Sequence, residues 1–189
     1  MLKGKSVVLK TIAKEDIKLI FDIIMEDKVG STFSTTYKEL TLDELPKFLY
    51  ETETGTTSKV FSIFDDKELI GVVTVNCIHA IRRSAYLAYL CIKSEYQKSG
   101  LGKDAFSVLL KYCFDTLNLN RVYSHTFSDN QIFQKDNHGI GDYFGFKLEG
   151  VEREYVYRNG NYVDKQIWGL LRKEWRNNPI YEHDAYKTL

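Results

Sequence analysis

The residues with the most chemical content form one contiguous stretch, Tyr96-Gln97-Lys98-Ser99-Gly100-Leu101-Gly102-Lys103. Two closely spaced glycines let backbone N–H groups come near a ligand that a Cβ would hold off. The segment after the loop has helical periodicity, so its N-terminus directs roughly half a positive charge at the same place. Lys98 and Lys103 add full charges. Together these residues make an anion site. The Walker spacing of GxxxxGK followed by Ser or Thr is absent, and no GxGxxG follows the first strand, which excludes both common nucleotide loops.

Charge is distributed to match. The chain has 26 Lys+Arg and 26 Asp+Glu, a net charge of zero. Residues 82–111, which contain the loop, hold 6 basic and 2 acidic residues, whereas residues 11–60 hold 6 basic and 10 acidic. A balanced total argues against a nucleic-acid binder and a polybasic membrane-surface protein. The acidic segment suits a cationic ligand. Glu26 and Asp27 end its first helical pattern and precede GSTFSTTY, whose Phe33 and Tyr37 can wall a cation site. Glu149 and Glu152, at the start of the penultimate strand, are other candidate bases, and His125, within a strand pattern, reads as a packed histidine. His79 and His138 have no neighbouring partners for a metal. Cys77, Cys91 and Cys113 form no CxxC pair and sit in apolar segments, which predicts buried, reduced thiols in a cytosolic protein.

The elements that must position these residues follow from periodicity. At 189 residues, 43% of them apolar, the chain suits one soluble domain over 1–189. No apolar run is long enough to span a bilayer, and the N-terminus carries no secretory signal pattern. Ser6–Lys10 predicts an edge strand. Ile17, Ile20, Phe21 and Ile24 predict a helix ending near Glu26. Thr41 and Glu44 form a capping-box pattern for a second helix running to about Glu53, with Pro46 early in it. Lys59–Phe64 and Leu69–Ile78 predict strands joined by Asp65-Asp66-Lys67. Ser84–Ile92, apolar on both faces, predicts one central strand. The spacing then predicts a buried helix over Gly102–Thr116, a strand over Arg121–Phe127, and an irregular stretch from Asn130 to Phe144. A hairpin over Lys147–Tyr157 and Asp164–Leu171 turns at Asn159-Gly160. The order is that of an α+β or α/β domain.

Gln97-x-x-Gly100-x-Gly102 resembles the Q/R-x-x-G-x-G/A motif of the GNAT superfamily of acetyl-CoA-dependent N-acetyltransferases. The resemblance extends to Leu117–Tyr123, Asn130, Gly145-Phe146 and Leu170-Leu171-Arg172-Lys173-Glu174-Trp175. It is strongest toward the branch of the ribosomal-protein N-terminal acetyltransferases and spermidine N-acetyltransferase. It implies a central, mixed, mostly antiparallel twisted sheet of about six to seven strands flanked by about four helices. It implies that acetyl-CoA places its pyrophosphate on the amides of Lys98, Ser99, Gly100, Leu101, Gly102 and Lys103, after Gln97. It also implies that the pantetheine arm pairs with the strand end at Leu90, Cys91 and Ile92, where an N–H receives the thioester oxygen, and that Asn130 contacts the arm.

The chain departs from the family between Asn130 and Gly145, which is about one helical turn longer and contains KDNHGIG, a poor helix. Counting from either end places Phe133, Asn137 or Gly141 where relatives carry a Ser or Tyr that protonates the departing thiolate. Tyr143 is the nearest phenol and the candidate acid. Departure through water is the alternative. The expected acceptor is a primary amine of a protein N-terminus, a polyamine, or an amino sugar or antibiotic. Glu26 is the candidate group to attract it or take its proton, with Asp27, Phe33 and Tyr37 lining its site. Neither metal nor acyl-enzyme, nucleic acid nor membrane is expected, and the chain is a monomer or homodimer. A GNAT-fold module that binds acyl-CoA without turnover is the alternative.

Overall fold

The computed structural model describes residues 1–26, 39–50, 53–130, 139–158 and 160–183. Its elements are β1 (Leu2–Lys3), β2 (Val8–Thr11), α1 (Asp16–Met25), α2 (Leu45–Leu49), β3 (Thr57–Phe64), β4 (Leu69–His79), β5 (Ser84–Tyr86) and β6 (Leu90–Ile92). There follow α3 (Leu101–Lys111), β7 (Arg121–Phe127), α4 (Ile140–Phe144), β8 (Lys147–Arg158), β9 (Asn161–Leu171), α5 (Arg172–Arg176) and α6 (Pro179–His183). The strands form one sheet in the order β1-β2-β3-β4-β5-β7-β9-β8, and β6 also pairs with β4. Every pairing is antiparallel except β5 with β7. The mixed, mostly antiparallel sheet is as expected. Its nine described strands exceed six to seven because β1 is a two-residue addition and the expected third strand is divided. For the same reason the Ser6–Lys10 segment is not the edge, since β1 lies outside β2. The described α-helices number six rather than about four, because the chain after β9 adds the short helices α5 and α6.

Each face of the sheet carries its own core. On one, α1 and α2 bury Ile20, Ile23, Ile24, Leu45 and Leu49 against Val60, Val72 and Cys91. On the other, α3 buries Ala105, Val108 and Leu109 against Ile70, Val73, Val75 and Val122. Alternation along β4 (Val72 to one face, Val73 and Val75 to the other) is what lets one apolar strand serve both.

Local chemistry fixes the ends. Thr41 donates its backbone N–H (3.0 Å) and its hydroxyl (2.7 Å) to the Glu44 carboxylate, which is half of the expected capping box; Glu44 N–H goes to Thr41 O, so the hydroxyl caps nothing, and α2 starts after Glu44. Helix α2 stops at Leu49 rather than near Glu53, and the buried Asn76 amide donates to the Leu49 carbonyl (3.2 Å). Helix α3 widens into a π-helical turn over Tyr112–Thr116, closed by Leu117 N–H on Tyr112 O at 2.9 Å. The Asp65 side chain accepts the N–H groups of Lys67 (2.9 Å) and Glu68 (2.8 Å), which shapes the expected β3–β4 turn. Within the stretch expected to be irregular, residues 140–144 are helical; residues 131–138 lie outside the described residues.

The predicted central strand over Ser84–Ile92 is two strands. Leu87 N–H donates to Tyr123 O at 2.8 Å, a backbone bond that continues the β5–β7 pairing one residue past Tyr86. Two residues later Tyr89 O accepts from Thr74 N–H of β4 at 3.0 Å. The segment thus keeps β4 as its neighbour and parts from β7, leaving a gap beside β6.

Candidate acetyl-donor site

Among the described residues, no strand pairs with the side of β6 that faces the gap. Tyr89 O accepts from Thr74 N–H and Lys93 N–H donates to Ile70 O (2.9 Å), so both residues face β4. Backbone groups alternate in an antiparallel ladder, so Leu90 and Ile92 turn theirs away from β4, into the gap. Of the expected edge residues, Leu90 therefore turns its N–H and C=O and Ile92 its N–H into the gap, the Ile92 C=O accepting from Gln97, whereas Cys91 pairs with Val72. Gly71 makes the narrow β4–β6 pairing feasible, since a Cβ there would lie 2.2 Å from Cys91 O. Burial pushes the Cys91 thiol up, so it is a protonated packing group.

Beyond β6 the chain turns through Ser94–Tyr96 into the anion loop. The Glu68 carboxylate braces this turn, taking Lys93 Nζ at 2.7 Å and Tyr96 OH at 2.9 Å. That hydrogen bond is the first cause of the Tyr96 phenol being pushed up to about 12. Gln97 Nε2 donates to Ile92 O (3.3 Å), tying the loop to the open edge. Ser99 Oγ donates to Tyr96 O (2.5 Å), closing the turn.

Lys98 (φ 62°) and Gly100 (φ 93°) both take left-handed backbone, a succession that points N–H groups to one side. Helix α3 starts at Leu101, and among the described residues the N–H groups of Gly100, Gly102 and Lys103 find no acceptor. A Cβ on Gly100 would meet nothing within 4 Å, so this hollow is open, and one on Gly102 would lie 3.3 Å from Ile92 Cδ1. The loop amides and the two lysines follow on β6, tied to its edge by Gln97. They fit a ligand with a phosphate end and an extended amide-bearing arm, the chemistry of acetyl-CoA. The one acidic residue in the first turn of α3, Asp104, is turned to the N-terminal strands, accepting the N–H groups of Lys5 (3.1 Å), Ser6 (2.6 Å) and Val7 (3.1 Å).

The other candidates fall at different places. Glu26 lies at the end of α1 and accepts Ser94 N–H through Oε2 (2.9 Å), which brings it to the end of β6. Tyr143 is in α4, its ring 4.4 Å from Lys103 Nζ, which places it at the anion loop. Asn130 follows β7, its N–H on Phe127 O at 2.9 Å. Glu149 receives a bidentate ion pair from Arg121, and Glu152 pairs with Lys165 (2.7 Å), so both carboxylates are engaged. The three cysteines are free and buried, as their setting predicts. Asp27, Phe33 and Tyr37 lie outside the described residues.

The sequence reading passed over one cluster. Tyr86, Tyr123 and His125 stack together beside the gap, with centroids 4.9 to 5.9 Å apart. The signal was present as alternation along β7, where Tyr123 and His125 are partly exposed and Val122, Ser124 and Thr126 are buried.

Comparison with known proteins identifies the family. Residues 9–167 match the acetyltransferase (GNAT) domain. The chain is 25% identical over 177 residues to an uncharacterized N-acetyltransferase of Bacillus subtilis, covering 91% of this chain and 97% of that protein. It is 28% identical over 171 residues to a spermidine N(1)-acetyltransferase of Vibrio cholerae, covering 89% and 95%. The crystal structure of the Vibrio cholerae spermidine N-acetyltransferase in complex with CoA and spermine superposes with a TM-score of 0.75 at 26% identity, over 92% of this chain and all of that one. The chain belongs to the GNAT superfamily of acetyl-CoA-dependent N-acetyltransferases.

Proposed function

We propose that this acetyltransferase transfers the acetyl group to a primary amine of a small polycationic acceptor, a polyamine before a protein N-terminus, by direct attack in a ternary complex. The observation that carries the transfer is the open edge at Leu90 and Ile92, between the anion loop and the point where β6 parts from β7. An N–H on that edge can hold the thioester oxygen and stabilise the negative charge that develops on it. Direct attack is supported by Cys91, the thiol nearest the edge, which burial keeps protonated.

The preference for a polyamine rests on two supports. The sequence of the spermidine N(1)-acetyltransferase of Vibrio cholerae aligns over 89% of this chain, whereas that of a ribosomal protein uS5-alanine N-acetyltransferase of Escherichia coli aligns over 61%. The second support is the acidic excess of residues 11–60. Glu26 holds one oxygen on Ser94 and has the other to attract a cation. Asp27, Phe33 and Tyr37 are proposed to complete the acceptor site. Tyr143 is proposed to work at the phosphate end, where its ring supports Lys103, and the departing thiolate takes a proton from the attacking amine. A thiol of pKa near 8.5 asks for little acid assistance. Buried free cysteines suit a reducing compartment, and we place the enzyme in the cytoplasm.

CoA release measured with spermidine, spermine, a peptide bearing an N-terminal alanine and an amino sugar tests the reading. Release with the polyamines at the highest kcat/KM is expected. Faster turnover of the peptide would overturn the polyamine assignment. Tight acetyl-CoA binding with no release for any amine would instead establish a non-catalytic acyl-CoA-binding module.

A further inference from the structure

His125 stands on β7 two residues past Tyr123, whose carbonyl accepts the Leu87 N–H one residue past β5. It therefore borders the gap, where β7 no longer has β6 beside it. Ser124, between them, donates its hydroxyl to Leu87 O (2.8 Å) and pins the point of divergence. Ser124 is buried, and alternation places His125 on the opposite face of the sheet from α3, the face that carries α1 and α2. Its ring is held by Tyr86 (4.9 Å) and Tyr123 (5.9 Å). Among the described residues neither ring nitrogen makes a hydrogen bond.

We infer that His125 takes the proton from the acceptor ammonium at the mouth of the gap, with the Tyr86 and Tyr123 rings positioning it. The inference rests on the amine-acetylation reading above. Burial is the main cause that holds the imidazole below its ordinary pKa, and Lys165 adds to it while Glu152 opposes it. Those two pair with each other at 2.7 Å, Arg121 pairs with Glu149, and Tyr86 and Tyr123 are the titratable groups in ring contact. The ring is thus neutral at neutral pH and able to accept a proton. The ammonium gives one proton to His125, and its freed lone pair attacks the thioester carbon. The C–N bond forms and the C–S bond breaks. The second nitrogen proton goes to the thiolate. His125 returns its proton to solvent, so one H⁺ is released per amide and CoA thiol formed.

The test is the pH profile of kcat/KM for spermidine in wild type and His125→Gln, with acetyl-CoA affinity measured by calorimetry. In wild type a plateau begins below pH 6.5, the ordinary histidine pKa. In H125Q, kcat/KM at neutral pH falls about 100-fold. The plateau is also lost, the rate rising about tenfold per pH unit toward the amine's own pKa, while acetyl-CoA affinity is unchanged. A second readout needs no turnover: adding spermidine to the CoA-bound protein shifts the His125 ring resonance in NMR. An unchanged profile in H125Q, a loss of acetyl-CoA affinity, or an unmoved ring resonance would each overturn the inference. Release of CoA by both proteins alike sinks this inference alone. Absence of release with every amine sinks the acetylation reading as well.

Discussion

The Glu26 carboxylate accepts the N–H of Ser94 at 2.9 Å across 68 residues of sequence, joining the end of α1 to the end of β6. One acidic side chain therefore both fixes the turn that leads into the glycine-lysine loop and presents charge beside the proposed acetyl-donor edge. A hydrogen bond to a charged group of this kind contributes about 1.5–3 kcal/mol. The two roles separate by substitution. Glu26→Gln keeps an acceptor for Ser94 and loses the charge; Glu26→Ala loses both. The expected outcome for E26Q is near-native stability in urea denaturation with a KM for spermidine raised about tenfold, equivalent to about 1.4 kcal/mol. E26A is expected to lose stability and acetyl-CoA affinity together. Equal stability losses in the two variants would refute the division.

Gly100 and Gly102 give different tests of the phosphate cradle. Gly100 has φ 93°, so any L-residue strains the backbone there by about 1–2 kcal/mol even though a Cβ finds open space. Gly102 has no such conformational demand, and its Cβ would meet only the end of the Ile92 side chain at 3.3 Å. Gly102→Val is therefore the cleaner variant. It should leave the melting temperature within a few degrees of wild type, and by obstructing the amides it should weaken acetyl-CoA at least about tenfold, equivalent to about 1.4 kcal/mol. Unchanged affinity by calorimetry would remove the loop from the donor site.

The anion loop was legible because its signal is local: two glycines, two lysines and a helical period stand in one short run. The break in the predicted Ser84–Ile92 strand was not. Side-chain pattern reports which face a residue occupies, and the apolar run is unbroken through Leu87 and Tyr89 while the backbone changes its hydrogen-bond partner from Tyr123 to Thr74. The same limit explains α2. Nothing near Leu49 announces that Asn76, 27 residues away, donates to its carbonyl. Glu26 was legible as charge and illegible as a hydrogen-bond acceptor for the same reason. His125 was legible as a residue in a strand, and only the pairing of β5 with β7 brings Tyr86 to its ring.

Tyr143 illustrates how geometry divides two roles that a phenol can play. As an acid for the thiolate it must contribute its hydroxyl; as a support for Lys103 it needs only its ring, 4.4 Å from the ammonium. Tyr143→Phe retains the ring face and is expected to keep kcat within about twofold. Tyr143→Ala removes a cation–π contact of about 0.5–1 kcal/mol and should raise the KM for acetyl-CoA a few-fold. A fall in kcat of about 100-fold in Y143F would restore the phenol as the general acid.

The Arg121–Glu149 pair crosses Gly169, where a Cβ would lie 2.3 Å from Glu149 Oε1, so the absence of a side chain is what admits the bidentate contact. The Arg121 guanidinium is the first cause that holds the Glu149 carboxyl below its usual range. A depressed folded-state pKa means the unfolded chain binds its proton first as pH falls. The stabilisation is therefore present in full above the ordinary carboxylate pKa near 4.5 and lost as pH drops through the lower folded value. Because Glu149 is largely exposed, solvent screening keeps the effect small, on the order of 1 kcal/mol or less. Thermal unfolding should show Glu149→Gln melting below wild type at pH 7, with the difference closing as the pH is taken well under 4.5. A gap that stays constant across that range would assign the loss to packing at Gly169 and not to the charge.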